Sequence, residues 1–169
     1  MSMKRNLGFG ILAAAFALGA ENLPFDAQLT GWRLMPKQAV ALDRNVKQSE
    51  TGSLRLTAKL DQKMKLKNKK THFVDVRKEF ELEPDRKYVV TVMAKGENLS
   101  DNRTGMFFNT GKKWDRGARW LDSFDWTKFT CELDTGKMGG SKVTLHFTLY
   151  GKEGQLWIDQ LTITPKEEN

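Results

Sequence analysis

Apolar and polar residues alternate one by one along several segments of this chain, and that period of two constrains the fold more than any other feature. The clearest segments are Phe73–Leu82 and Val143–Tyr150. Successive side chains of a β-strand point to opposite faces of its sheet. Alternation of this kind therefore predicts antiparallel strands with one face buried and the other open to solvent.

Turn residues separate these segments from one another. Gly52, Pro84 with Asp85, Gly96 and Gly151 each end or precede an apolar run. No segment after the N-terminus has helical periodicity over three turns. The runs predict an all-β antiparallel sandwich of two sheets, each of four or five strands, with no helix longer than about two turns. The predicted strands are 54–58, 73–82, 88–94, 106–109, 126–133, 143–150 and 156–163.

The N-terminus has the features of a secretory signal peptide. Lys4 and Arg5 precede an apolar run over 7–18, which is followed by Gly19 and Ala20. The run is shorter than the roughly 20 apolar residues that span a bilayer, and it lacks the polar face of an amphipathic helix. We therefore expect residues 1–20 to be a cleaved signal, 21–169 to be a single domain, and the protein to be secreted or periplasmic, with no membrane span.

The excess of positive charge is concentrated in one segment. The chain has 28 Lys and Arg against 21 Asp and Glu, and six lysines fall within 59–70. Such a patch attracts anionic polymers. Lysines on an exposed strand also discourage aggregation through sheet edges, which is the interpretation we favour. No nucleic-acid-binding motif surrounds the patch, so no nucleic-acid partner is expected. Cys131 alternates with Phe129 and Leu133, which predicts a buried and inert thiol.

Five segments together resemble a known family. They are "ENLPFDAQLTGWRL", "SETGSLRLTA", "FELEPDRKYVVTVMAKGE", "WTKFTCEL" and "GQLWIDQLTITP". In this order and spacing they resemble the galactose-binding-like jelly rolls, in particular the carbohydrate-binding modules of families 4, 9 and 22. Asp85 and Gln160 depart from the usual pattern. The resemblance implies a jelly roll and non-catalytic binding of a polysaccharide or glycan. The lysine patch adds an anionic polysaccharide to the candidates.

Candidate ligand-binding residues lie on the polar faces of the predicted strands and in one polar segment. Asp75, Arg77, His146 and Tyr150 occupy the predicted solvent-facing positions. Trp114, Arg119 and Trp120 lie in the segment 111–125, which is interpreted as a loop. Aromatic rings stack on sugars, and charged or amide groups bind their hydroxyls. Either tryptophan could instead attach the loop to the sandwich. Trp32 and Trp126 are predicted to pack in the fold, and Trp157 to lie on a sheet face or under a loop.

A metal site and an enzymatic activity are the remaining alternatives. The resemblance implies that one structural calcium could bind at Asp159, joined by Asp26 or Glu50, although Gln160 replaces a second acid of the usual closing strand. No other cofactor is expected. The sequence carries no recognised hydrolase, metal-helix or phosphate-loop motif, so we expect no catalysis. An adhesion or assembly module, and less so a polysaccharide-degrading enzyme or a lyase, remain alternatives because a fold does not determine a function.

Overall fold

The computed structural model describes residues 21–23, 25, 29–60 and 71–167. The predicted signal peptide, Asp26 and five lysines of the segment 59–70 lie outside the described residues. The described residues form eleven strands: β1 (Glu21–Leu23), β2 (Arg33–Met35), β3 (Val40–Asp43), β4 (Ser53–Lys59), β5 (His72–Glu81), β6 (Lys87–Leu99), β7 (Gly105–Asn109), β8 (Trp114–Arg119), β9 (Asp122–Asp134), β10 (Lys142–Gly151) and β11 (Glu153–Pro165).

Helix contributes little to the described part of the chain. A 3₁₀ turn (Lys37–Ala39) precedes β3, and a single helical turn, α1 (Thr135–Met138), follows β9. The Asp134 side chain accepts a hydrogen bond from the Lys137 N–H, which caps α1, and Gly139 ends it in the left-handed conformation. No helix in the described ranges is long and apolar enough to cross a membrane.

The strands form two antiparallel sheets. Sheet A has the order β3-β4-β11-β6-β9, with β1 also paired to β11. Sheet B has the order β2-β5-β10-β7-β8. The predicted all-β sandwich is confirmed, and β1 makes sheet A one strand larger than expected.

The two sheets enclose one apolar core. Its inner positions are those that the alternation predicted: Tyr88, Val90, Val92 and Ala94 of β6, with Val143, Leu145, Phe147 and Leu149 of β10, are all buried. Val74 and Val76 of β5 lie beside Leu149 and Phe147 of β10 on the inner face of the same sheet. Removing this apolar surface from water is the main force that brings the sheets together.

The segment 111–125 is where the sequence interpretation was wrong. It is not a loop: β8 and the start of β9 occupy most of it. The alternation along β8 is broken because Phe107 pairs with Arg116 while Met106 pairs with Ala118, which leaves Gly117 as the extra residue of a β-bulge. A Cβ at Gly117 would lie 2.7 Å from the Phe108 ring. Only glycine fits there. Arg116 and Ala118 would share a face in a regular strand, but because of the bulge they lie on opposite faces of the sheet.

Candidate functional site

The outer face of sheet B, the surface turned away from the core, gathers most of the predicted ligand-binding residues. The strand register places their side chains in rows that cross the sheet. One row runs from β2 to β8, and its successive partners are Arg33, Arg77, His146, Phe107 and Arg116. The next row continues from Met35 through Asp75 and Thr148, and Phe73 lies opposite Tyr150 at one end of the face.

Large apolar side chains are exposed on this face. In the described ranges, three large hydrophobic residues are exposed, Met35 (46%), Phe73 (36%) and Trp114 (63%), and all three lie here. Two clefts of about 430 and 350 Å³ adjoin on the face and share Arg77, Trp114 and His146 as lining residues. A folded protein gains nothing by exposing such groups together, so the arrangement indicates a binding surface.

A buried acid–imidazole pair lies under the clefts. Nδ1 of His146 donates a hydrogen bond to Oδ1 of Asp75 at 2.9 Å, and both residues are less than 5% exposed. Arg77 approaches the other carboxylate oxygen at 3.8 Å. The second imidazole nitrogen, Nε2, is buried and has no hydrogen-bond partner among the described residues. A buried polar atom without a partner costs free energy, and a ligand group that reached Nε2 would recover it.

Aromatic rings flank this pair on two sides. The Trp114 ring lies against His146, with centroids 4.9 Å apart, and the rings of Tyr150 and Phe73 are 4.5 Å apart. The Arg103 guanidinium lies 4.3 Å from the centre of the Tyr150 ring. Burial raises the pKa of the Tyr150 hydroxyl, which keeps it protonated and able to donate at neutral pH.

Arg103 itself has a fixed partner. Its Nε and Nη2 donate to the two carboxylate oxygens of Asp101 at 2.9 and 2.6 Å. The side-chain bond from Arg103 holds the pKa of Asp101 below its usual value. The pair fixes the guanidinium over Tyr150 and so builds one wall of the apolar cleft.

The structure corrects three of the sequence expectations for this site. Trp120 is not a surface residue: it is 1% exposed and packs against Phe129 and Phe147, because the bulge at Gly117 directs it into the core. Arg119 is exposed on β8 but does not line either cleft. Asp75 and His146 lie on the predicted face but are covered rather than open to solvent.

Other residues of the face were missed by the sequence interpretation. Met35 and Arg33 lie on a three-residue strand that is too short to show alternation. Arg116 and Phe107 lie on β8 and β7, and Arg116 lies 5.2 Å from the Phe107 ring centre. Phe73 could have been found, because it shares the parity of Asp75 and Arg77 along β5.

The outer face of sheet A carries the residue predicted to bind calcium. Oδ2 of Asp159 accepts from the backbone N–H groups of Gln48 and Ser49, and Oδ1 accepts from that of Gln160, each at 2.8 Å. The described residues include no group of three His, Cys, Asp or Glu side chains that could hold a metal, and Glu50 is exposed. These three hydrogen bonds make Asp159 an anchor for the segment 44–52, and calcium binding at this residue stays a prediction. Asp26 lies outside the described residues.

Asp43 anchors the same segment. It accepts from the indole N–H of Trp157 at 3.0 Å, from the backbone N–H groups of Asn45 and Val46, and from Arg55 at 3.2 Å. Burial works against its ionisation, but the bonds from Trp157, Asn45 and Val46 outweigh it and hold the pKa of Asp43 below the usual value. Trp157 is thus a buried residue under a loop, one of the two positions predicted for it.

Comparison with known proteins shows the fold. The sequence matches no protein-family profile and no curated protein. The carbohydrate-binding module TmCBM61, solved with β-1,4-galactotriose, has a TM-score of 0.58 at 15% identity, over 86% of this chain and 99% of that one. The CBM22-1 and GH10 modules of Clostridium thermocellum xylanase 10B, solved with xylohexaose, have a TM-score of 0.57 at 12% identity, over 89% of this chain.

A third similar structure comes from a virus. The enzymatically active domain of tailspike protein 4 from bacteriophage CBA120 has a TM-score of 0.54 at 11% identity, over 81% of this chain. This chain spans only 20% of that tailspike chain and 28% of the xylanase chain. The predicted resemblance to β-sandwiches of the carbohydrate-binding-module type is confirmed for the fold, with a family 22 module among the similar structures.

Proposed function

We propose that this protein binds a polysaccharide or glycan chain on the outer face of sheet B and does not cleave it. The observation that carries the proposal is the position of the exposed apolar residues: Met35, Phe73 and Trp114 all border the clefts that contain His146. Sugar rings present apolar C–H faces and hydroxyl edges, so they need aromatic surfaces beside polar groups. Two similar structures, a carbohydrate-binding module solved with galactotriose and the CBM22-1 and GH10 modules of a xylanase solved with xylohexaose, support this ligand class.

The dimensions of the face suit a chain of several sugars. The Trp114 ring lies against His146, and the Phe73–Tyr150 pair lies four residues further along β10. At about 3.3 Å per residue, the two aromatic platforms are roughly 13 Å apart. One sugar ring would stack at each platform, Thr148 would bind hydroxyls between them, and Asn109 and Thr144 would bind hydroxyls on the other side of Trp114.

The arrangement of acids supports binding without catalysis. Glycosidases use two carboxyl groups that flank the scissile bond. The described acids that line the two clefts are Asp75 and Glu79. Asp75 is committed to His146, and Glu79 pairs with Lys142 at 3.0 Å. Neither of these carboxyl groups is free to act with the other across a glycosidic bond. We therefore propose that the bound polysaccharide is released uncleaved.

The same proposal includes secretion of the protein and a preference for an anionic polysaccharide. An exported protein would meet polysaccharides outside the cell, which agrees with the signal predicted over 1–20. The chain carries an excess of cations over acids, so an anionic polysaccharide suits it better than a neutral one.

The test compares Trp114→Ala with a tryptophan removed from the other sheet, Trp126→Ala. Each purified chain is run through affinity gels containing β-1,4-galactan, xylan, mannan or polygalacturonate, and its melting temperature is measured. Stacking on an aromatic ring contributes about 0.5–1.5 kcal/mol beyond its buried area, so Trp114→Ala should weaken binding by up to about tenfold. Trp126→Ala should bind as the parent does.

Three results would contradict the proposal. Parent protein that is retained by none of the polysaccharides would exclude this ligand class and favour an adhesion or assembly role. Equal retention of Trp114→Ala and the parent would place the site elsewhere. New reducing ends or unsaturated sugars in the incubated polymer would show an enzyme or a lyase.

A further inference from the structure

A row of arginines crosses the outer face of sheet B. Arg33 of β2 pairs in register with Arg77 of β5, and Arg116 of β8 lies at the other end of the same row, beyond His146 and Phe107. Arg33 and Arg77 line the larger cleft, and Arg77 and Arg116 line the smaller. Guanidinium groups therefore face both clefts.

These arginines lack the carboxylate partners that other cations of the protein have. In the described part of the chain, no Asp or Glu carboxylate lies within 4.0 Å of the guanidinium group of Arg33 or Arg116, and the carboxylate paired with Arg77 is that of Asp75, which is already bonded to His146. Elsewhere Lys95 reaches Asp125 at 3.1 Å, and Arg103 holds Asp101 with two bonds. The row is thus a local excess of unneutralised positive charge.

The register makes this excess costly for the folded protein. Residues directly opposite on antiparallel strands have Cβ atoms about 4.5–5.5 Å apart, and like charges there are destabilising. Arg33 and Arg77 form such a pair. An anion bound between their guanidinium groups would relieve the repulsion and gain directed hydrogen bonds.

Arg116 is positioned by an aromatic neighbour. Its guanidinium lies 5.2 Å from the Phe107 ring centre, a cation–π distance that limits its freedom. Trp114 lies two residues earlier on β8, and both side chains line the smaller cleft. A sugar ring stacked on Trp114 would carry its substituents towards Arg116.

We propose that the polysaccharide bound by this face is anionic and that Arg33, Arg77 and Arg116 bind its charged groups. This inference rests on the function proposed above and assigns its charge preference to three arginines and to a defined class of anionic group. The planar fork of a guanidinium matches the two oxygens of a carboxylate and also accepts a sulfate. The shared chemistry is an anionic group on a pyranose ring, supplied by a uronic acid or by a sulfate ester.

The experiment uses pairs of polymers that share a sugar backbone and differ in whether its acidic groups are charged. Polygalacturonate is compared with its fully methyl-esterified form, and a sulfated galactan with the same galactan after desulfation. Affinity-gel retention of the purified chain is measured on all four. Tighter retention on polygalacturonate than on its ester identifies a carboxylate, and tighter retention on the sulfated galactan than on the desulfated one identifies a sulfate ester.

A double variant, Arg33→Gln with Arg77→Gln, tests the residues. Hydrogen bonds to charged groups are among the stronger ones in proteins, so its affinity for the charged polymer should fall by about tenfold or more. Its affinity for the neutral form should change little. The matched control, Arg44→Gln with Lys128→Gln, removes the same charge from residues that do not line the two clefts, and it should bind as the parent does.

The outcomes separate this inference from the proposed function. Equal retention of the parent on charged and neutral forms would overturn the inference, together with the charge preference proposed above, and leave polysaccharide binding intact. An equal loss in both double variants would also overturn it, because general charge attraction would then explain the binding. Parent protein that binds none of the four polymers, nor the neutral galactan, xylan or mannan of the earlier panel, would remove the proposed function itself.

Discussion

The outer faces of the two sheets both carry a buried aspartate, yet the two aspartates have opposite surroundings. On sheet A, Asp159 and Asp43 accept backbone and indole N–H groups, and these bonds hold the segment 44–52 in place. On sheet B, Asp75 is bonded to His146, whose Nε2 is left without a partner among the described residues. The completed bonds of Asp159 and Asp43 fit a structural role, whereas Nε2 of His146, beside two clefts, is free to bond a ligand.

The same contrast holds for charges and rings. On sheet A, Lys166 and Lys87 lie beside Glu132, whereas the guanidinium groups of Arg33 and Arg116 on sheet B have no carboxylate of a described residue within 4.0 Å. The described large apolar residues that are exposed all belong to sheet B. These differences set the outer face of sheet A apart from the outer face of sheet B, which is the face proposed to bind.

The largest expected effect is a difference in stability between variants of two tryptophans that lie six residues apart. Trp120→Ala removes a fully buried ring and should cost about 3–5 kcal/mol of unfolding free energy, which lowers the melting temperature by roughly 10 °C or more. Trp114→Ala removes an exposed ring and should melt like the parent. Thermal denaturation measures both.

A milder substitution keeps this comparison informative if Trp120→Ala does not fold. Trp120→Phe retains part of the buried volume and should fall between the parent and Trp120→Ala in stability. If Trp120→Phe melts normally but loses polysaccharide binding, Trp120 belongs to the ligand site after all and the comparison of faces is wrong.

These two tryptophans also show where sequence reasoning stops. Strict alternation located the core strands and the face positions of Asp75, Arg77, His146 and Tyr150, because period two is visible in the residues themselves. Gly117 resets that alternation by one residue, and nothing local in the sequence distinguishes a glycine in a bulge from a glycine in a loop. The pairing of Asp75 with His146 depends on strand register between residues 71 positions apart.

The second largest effect concerns the outer face of sheet A. Asp159→Ala leaves the N–H groups of Gln48 and Ser49 without their acceptor, which should cost about 2–4 kcal/mol and lower the melting temperature by roughly 5–15 °C. Polysaccharide retention below the transition should be unchanged, since the other sheet is untouched. If Asp159 acts only as an anchor, a calcium chelator should not shift the melting temperature of the parent protein, whereas a downward shift would support the predicted calcium at this residue.

The smallest expected effect is a slow alkylation of Cys131, whose rate reports on how closely β8 covers the core. Burial raises the pKa of the Cys131 thiol to about 11, with a further contribution from the charge of Asp115. The raised pKa leaves stability unaffected below the ordinary thiol pKa and lowers it as the pH rises towards 11. Alkylation at pH 8.5 should be about a hundredfold slower than for a free cysteine. Rapid alkylation of native protein would show that β8 opens and that Trp114 is not held in place.

The most direct test of the comparison maps ligand contacts on both faces at once. Backbone amide and indole resonances of the isotope-labelled protein are followed during titration with galactotetraose and, separately, with tetragalacturonate. The account predicts that shifts from at least one of these ligands cluster on β5, β7, β8 and β10 and at the Trp114 indole, while the amides of β4 and β11 and the Trp157 indole stay unchanged. Shifts that cluster around Asp43 and Asp159, or a titration in which sheet B does not respond to either ligand, would contradict it.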